Sequence, residues 1–192
     1  MGFEQSEADP CLLRKRDEHG EVVLGIYVDD VVCIGDASAI EEMQEALEKK
    51  VSIKRLGGLH EYVGCTVERD ADYFWFLQPR IIGKLEKRFG ADVQKLRATT
   101  APLPPGTHYG EPTKSEIQLS NDLQQRYRQG VGTLLYLVKH SRPDIANAVR
   151  ELAKNMSCPT DATWKGMLRT INYVLNTRGS GVRTPLKGIR RN

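Results

Sequence analysis

Residues 25–35 read GIYVDDVVCIG and set two aspartates, Asp29 and Asp30, side by side in an otherwise apolar run. Ionised carboxylates are costly in apolar surroundings unless they are paired or bound to metal. At a hairpin tip, where the alternation of a strand relaxes, both can converge on one edge of a sheet. Oxygen-only donors of this kind suit Mg²⁺, which takes one or two protein carboxylates together with substrate phosphates and water. Two such ions about 4 Å apart are the recurring device of phosphoryl and nucleotidyl transfer. A solvated turn is the plainer alternative, because turns favour Asp. The symmetrical apolar flanks weigh against it, but pattern alone leaves both readings open.

The elements that must position the pair follow from local signals. Residues 21–28 and 31–34 are rich in β-formers and predict two strands joined tightly at Asp29 and Asp30, with no Asn-Gly or Asp-Gly to fix the turn type. Ser38 with Glu41 three residues on predicts a capping box and a helix whose buried face carries Ile40, Met43 and Leu47. Residues 51–56 predict a short strand, and 60–68 with 73–78 a second hairpin. Pro79 and Gly90 bracket a helix over 79–89 with Ile82, Leu85 and Phe89 inside. The Pro-rich stretch 99–113 reads as a linker or an extended crossing segment. Three helices follow, over 122–139 (Val131, Leu134, Leu135 and Val138 inside), from Pro143 to about Met156, and from Thr160 or Asp161 to about Asn176. The fold class is therefore α+β, a mixed part first and an all-helical part second.

Composition narrows the partners. The 192 residues are 40% hydrophobic and 28% charged, as in a globular chain. Residues 1–100 hold 14 Lys+Arg against 19 Asp+Glu, net −5; residues 101–192 hold 14 against 6, net +8. The second half suits a polyanion or forms a solvated basic surface. The four cysteines and four histidines are scattered, which disfavours a zinc site and suits a reducing, intracellular setting. No apolar stretch is long enough to span a bilayer, so no membrane partner is expected.

Tyr27-Val28-Asp29-Asp30 resembles the Tyr-x-Asp-Asp signature of reverse transcriptases, and the resemblance extends over nearly the whole chain. GFEQSEADPCLL, LGGLHEYVGCTVERD, LQPRIIGKLEKRFG, YRQGVGTLLYLVKHSRPDIANAV and WKGMLRTINYVLNT, in that order, resemble segments of the copia-type retrotransposon enzyme. The resemblance implies an incomplete polymerase palm, β-hairpins with packed helices, followed by a small helical thumb-like bundle. Its boundaries would be a palm over 1–98, a Pro-rich linker over 99–121, a basic thumb or connection region over 122–179 and a flexible basic tail over 180–192. Asp29 and Asp30 would ligate two Mg²⁺ (or Mn²⁺) ions, Asp29 more directly. Tyr27 and Val28 would line the primer end. Lys54 falls near a lysine that protonates leaving pyrophosphate, although a solvated strand lysine fits as well. Tyr62 and Gly64 resemble the hairpin that grips the primer, with a core strand as the alternative. Lys139, Arg150, Lys154, Lys165 and Arg169 would face a template–primer duplex. Arg142 fits a helix start shared with Asp144 better than a substrate contact, and Trp164 and Tyr173 fit core anchors. Ile81, Glu86, Thr163 and the tail after Gly181 depart from the family pattern.

Two-metal transfer needs a further carboxylate, which in the family lies on a separate upstream strand; Asp9 and Asp17 do not match its motif. The expectation is thus a reverse transcriptase fragment of a Gag-Pol polyprotein, lacking fingers and third carboxylate and inactive alone. Its partners would be RNA or DNA template–primer, dNTPs, and the fingers, ribonuclease H and integrase of the polyprotein. The setting would be intracellular, in a cytoplasmic virus-like particle or the nucleus. A rival from the binding class is a non-catalytic nucleic-acid-binding remnant of a decayed element. An unrelated phosphatase or nuclease would want a histidine beside the aspartates, and His19 and His60 sit in no recognisable motif.

Overall fold

A computed structural model describes residues 2–110 and 118–185. The chain divides into two compact units, Met1–Gly64 and Cys65–Asn192.

In the first unit, β1 (Glu4–Gln5), β2 (Leu12–Asp17), β3 (Gly20–Tyr27) and β4 (Asp30–Gly35) form an antiparallel sheet in the order β1-β2-β3-β4. The alternation of β3 puts Val22 and Leu24 on one face, and α1 (Ala37–Glu48) covers that face with Ala39 and Met43. Phe3, Leu13, Cys33, Ile40 and Leu47 close around this core. The helix forms without the expected capping box. Asp36 is the N-cap, yet its carboxylate accepts from the Glu21 N–H at 2.8 Å, and the Ser38 hydroxyl donates to the His19 carbonyl at 2.6 Å. Both side chains are spent tying the helix start to the β2–β3 turn. Residues 51–60 form no strand. Arg55 instead reaches back to α1, bidentate on Glu48 at 2.8 Å and also paired with Glu41, which draws the connection out of any sheet. The two-residue β5 (Glu61–Tyr62) ends the unit ahead of Val63 and Gly64, both with positive φ, 47° and 73°. That turn divides the strand expected over 60–68.

In the second unit, β6 (Cys65–Arg69), β7 (Tyr73–Leu77) and β8 (Val182–Pro185) pair antiparallel. The helices are α2 (Pro79–Val93), α3 (Asn121–His140), α4 (Ala146–Ala153), preceded by a 3₁₀ turn at Pro143–Ile145, and α5 (Asp161–Asn176). Ile82, Leu85, Phe89, Val131, Leu134, Leu137, Val149, Leu152, Met167 and Ile171 form one buried cluster. Each large aliphatic side chain buried this way is worth about 2 kcal/mol. α2 runs past Gly90, because Val93 extends the stripe of Ile82, Leu85 and Phe89 and outweighs the modest cost of one glycine. Leu135, expected inside, is 41% exposed: the 3.6-residue period puts Leu134 and Leu137 on the core face and turns Leu135 away. α3 and α5 approach closely at Gly130, where a Cβ would meet Met167 Sδ. α5 begins as expected, with Thr160 and Thr163 in a reciprocal cap. The Pro-rich stretch packs on this unit over its described part: Leu103 is buried, the Pro102 carbonyl accepts from Thr170 Oγ1 at 3.3 Å, and the Tyr109 N–H donates to Glu151 Oε2 at 3.3 Å. Residues 111–117 of that region and 186–192 of the tail lie outside the described residues.

Candidate functional site

Register fixes the hairpin that carries the aspartates. Tyr27 pairs with Asp30, so the loop is Val28 and Asp29 alone, one residue earlier than the sequence suggested. A two-residue loop whose first residue has positive φ and whose second does not has the pattern of a type II′ turn, whose twist matches the flanking strands. That first residue is Val28, at φ 55°. A β-branched residue in the left-handed region is a true outlier, and such strain collects at functional sites. Val28 is 83% exposed and Tyr27 52%, and both aspartates are exposed. The hairpin therefore presents two carboxylates in solvent at the tip of a rigid, half-buried floor. Asp30 shares the sheet face of Tyr27, directly across the ladder, and Asp29 occupies the turn itself.

The donor chemistry of this tip fits a hard divalent cation. Among the described residues, no three His, Cys, Asp or Glu converge to hold a metal ion. The tip thus offers two carboxylates and no third.

Tyr62 lies in the same unit, beside this hairpin. Burial raises its phenol pKa, and Asp30, Cys11 and Tyr27 act in the same direction. The Tyr62 hydroxyl lies over Gly25, two residues before Tyr27 on β3, and Gly64 follows Tyr62 two residues on in the positive-φ turn. Lys54 is exposed on the irregular connection, and among the described residues no hydrogen bond or ion pair joins it to the hairpin.

The five basic residues all belong to the second unit. Lys139 is exposed at the end of α3. Lys154 and Arg150, four apart on α4 and at its end, both engage the buried Glu151, at 2.7 and 3.5 Å. Lys165 pairs with Asp161 at 2.6 Å, and Arg169, one turn on, is half-buried with its Nε lacking a hydrogen-bond partner among the described residues. Arg142 is 1% exposed and bonds Asp144 at 2.9 and 2.8 Å and the Thr177 hydroxyl and carbonyl at 2.7 and 3.1 Å, the structural role its sequence context suggested. Trp164 and Tyr173 pack against the helical core. Sequence reasoning missed Gly25, which lies under Tyr62, and Glu151, which gathers Lys154, Arg150, His108 and the Tyr109 N–H. An isolated glycine inside a strand pattern signals close approach and could have found the first; a lone glutamate in a helix carries no such signal.

Comparison with known proteins supplies the context. A family model described as reverse transcriptase (RNA-dependent DNA polymerase) matches residues 1–103. The chain is 28% identical over 179 residues to a retrovirus-related Pol polyprotein from transposon TNT 1-94 of Nicotiana tabacum, covering 90% of this chain and 13% of that protein. It is 29% identical over 189 residues to the Pol polyprotein from transposon RE2 of Arabidopsis thaliana, covering 95% and 12%. An uncharacterized mitochondrial protein of Arabidopsis thaliana is 26% identical over 153 residues, 79% of this chain and 60% of that one. The chain spans 12–13% of the length of the Pol polyproteins it matches. No solved structure matches it.

Proposed function

Because the chain belongs to the reverse transcriptase family, as found in the Pol polyproteins of copia-type transposons, we propose that Asp29 and Asp30 are two of the metal-binding carboxylates of RNA-directed DNA synthesis. The observation that carries this is the tip itself: a strained two-residue turn holding two exposed carboxylates at the end of a packed sheet. Asp29 and Asp30 would hold Mg²⁺ or Mn²⁺, which when bound lowers the pKa of a coordinated hydroxyl and neutralises phosphate charge. The remaining groups position substrate. Tyr27 and Val28, exposed beside the carboxylates, flank the primer end, and Gly64 sits in the turn on the primer side next to Tyr62. Lys54 is an exposed cation able to donate a proton to leaving pyrophosphate. Lys139, Arg150, Lys154, Lys165 and Arg169 give the second unit salt-sensitive, sequence-independent contacts to a template–primer backbone.

The site works as part of a larger assembly. With two carboxylates at the tip, these residues bind Mg²⁺ weakly and do not by themselves extend a primer. Among the described residues, β4 is one of the two edge strands of its sheet, β1 being the other, with Val31 50% and Ile34 69% exposed. An apolar edge of that kind takes a further strand readily, which suits completion by another part of the polyprotein. Substrates are then RNA or DNA template–primer and dNTPs. The reading is tested by primer extension with Mg²⁺ and dNTPs on the purified chain: none is expected, and processive extension abolished by Asp29→Asn would show that the described residues already form a whole site.

A further inference from the structure

The Val63 and Gly64 turn and the aspartate hairpin belong to one compact unit, and one side chain joins them. Gly25 sits on the face of β3 that carries Tyr27, with Asp30 across the ladder from Tyr27. A Cβ at Gly25 would lie 3.1 Å from Val32 Cγ1, 3.7 Å from Leu12 Cδ2 and 4.0 Å from the Tyr62 hydroxyl. The missing side chain leaves a hollow walled by Leu12 and Val32, with the Tyr62 hydroxyl over it. Val32 lies two residues beyond Asp30 on β4, so one wall of the hollow belongs to the strand that carries Asp30. Tyr62 also immediately precedes Val63, another β-branched residue at positive φ, 47°. A conformation that costly persists only where the surroundings fix it, and the seated phenol is an anchor directly next to it.

We propose that Tyr62 is a positioning residue: its phenol, seated in the hollow at Gly25, fixes the Val63 and Gly64 turn relative to the Asp29 and Asp30 hairpin. It acts on the primer side through this seat rather than by touching the primer. The inference rests on the reading of that hairpin as catalytic, but its test needs no catalysis. Gly25→Leu fills the hollow while leaving Tyr62 and the turn sequence intact. Amide hydrogen exchange on the full chain should then rise about tenfold at Gly64 and Cys65, as local opening becomes easier. Tyr62→Ala should raise exchange at the same amides and at Val32. Tyr62→Phe, which keeps the ring, should stay within about twofold of the unsubstituted chain. Tyr62 as mere filler would loosen β3 and β4 and leave Gly64 and Cys65 unchanged in Gly25→Leu, and that result overturns the proposal. Should Gly25→Leu fail to fold by circular dichroism, Tyr62→Ala decides: unchanged exchange at Val32 is equally fatal. A coupled turn combined with extension indifferent to Asp29→Asn would sink the catalytic reading and leave the coupling standing.

Discussion

Val28 holds an unfavourable backbone, φ 55°, and is 83% exposed at the hairpin tip. Gly adopts that conformation freely, so Val28→Gly should stabilise the first unit by about 1 kcal/mol in urea unfolding. A stability unchanged or lowered would mean the turn is not strained. Arg142 gives the opposite case. Arg142→Ala leaves Asp144 and Thr177 without their partner and should cost roughly 3 kcal/mol, read by thermal unfolding, with template–primer affinity unchanged. Loss of affinity at retained stability would instead make Arg142 a substrate contact. The two residues were unequally legible. Arg142 and Asp144 flank a proline that fixes the local turn, so their pairing is a local matter. Val28 offers no turn signal; the sheet register puts it there, and register is set by Val22 and Leu24 packing on α1.

At the scale of elements, the 3₁₀ turn and α4 depend on a titrating group. Burial alone would raise the Asp144 carboxyl, but the hydrogen bonds and charge of Arg142, with the Tyr173 hydroxyl, outweigh it and hold the pKa below its ordinary value. A carboxyl held lower in the folded than in the unfolded chain stabilises above its unfolded pKa, and that gain is lost as pH falls through the folded one. Unfolding temperature should therefore fall more steeply from about pH 4 downward in the unsubstituted chain than in Asp144→Asn; parallel curves would contradict the assignment. The helices were legible from periodicity because each carries its apolar stripe at helical spacing in its own sequence, even though the stripes of α2, α3, α4 and α5 are buried against one another. What failed failed for tertiary reasons. Ser38 was taken up by His19, residues 51–56 by the pull of Arg55 toward Glu41 and Glu48, and Gly90 was overridden by Val93.

Across the whole molecule, charge is divided by sequence halves, and the acids decide which cations are available. Lys165 is paired with Asp161, and Arg150 and Lys154 share Glu151. No such ion pair ties Lys139 among the described residues. Lys139→Ala should accordingly reduce the slope of log K against log salt for template–primer binding by about 0.9, and Lys165→Ala by less. Equal effects would mean that the ion pairs dissolve on binding. The family was legible in the motif order, as was the two-carboxylate tip in the Asp29-Asp30 pair, whereas the free edge of β4 required the sheet. Those two features carry the account's central claim, that Asp29 and Asp30 are part of a nucleotidyl-transfer site completed by more of the polyprotein. The direct measurement is primer extension by the Nicotiana tabacum Pol polyprotein with its matched segment replaced by this chain. Extension is expected, and Asp29→Asn or Asp30→Asn should lower it by at least about a thousandfold; extension that survives both substitutions would contradict the claim.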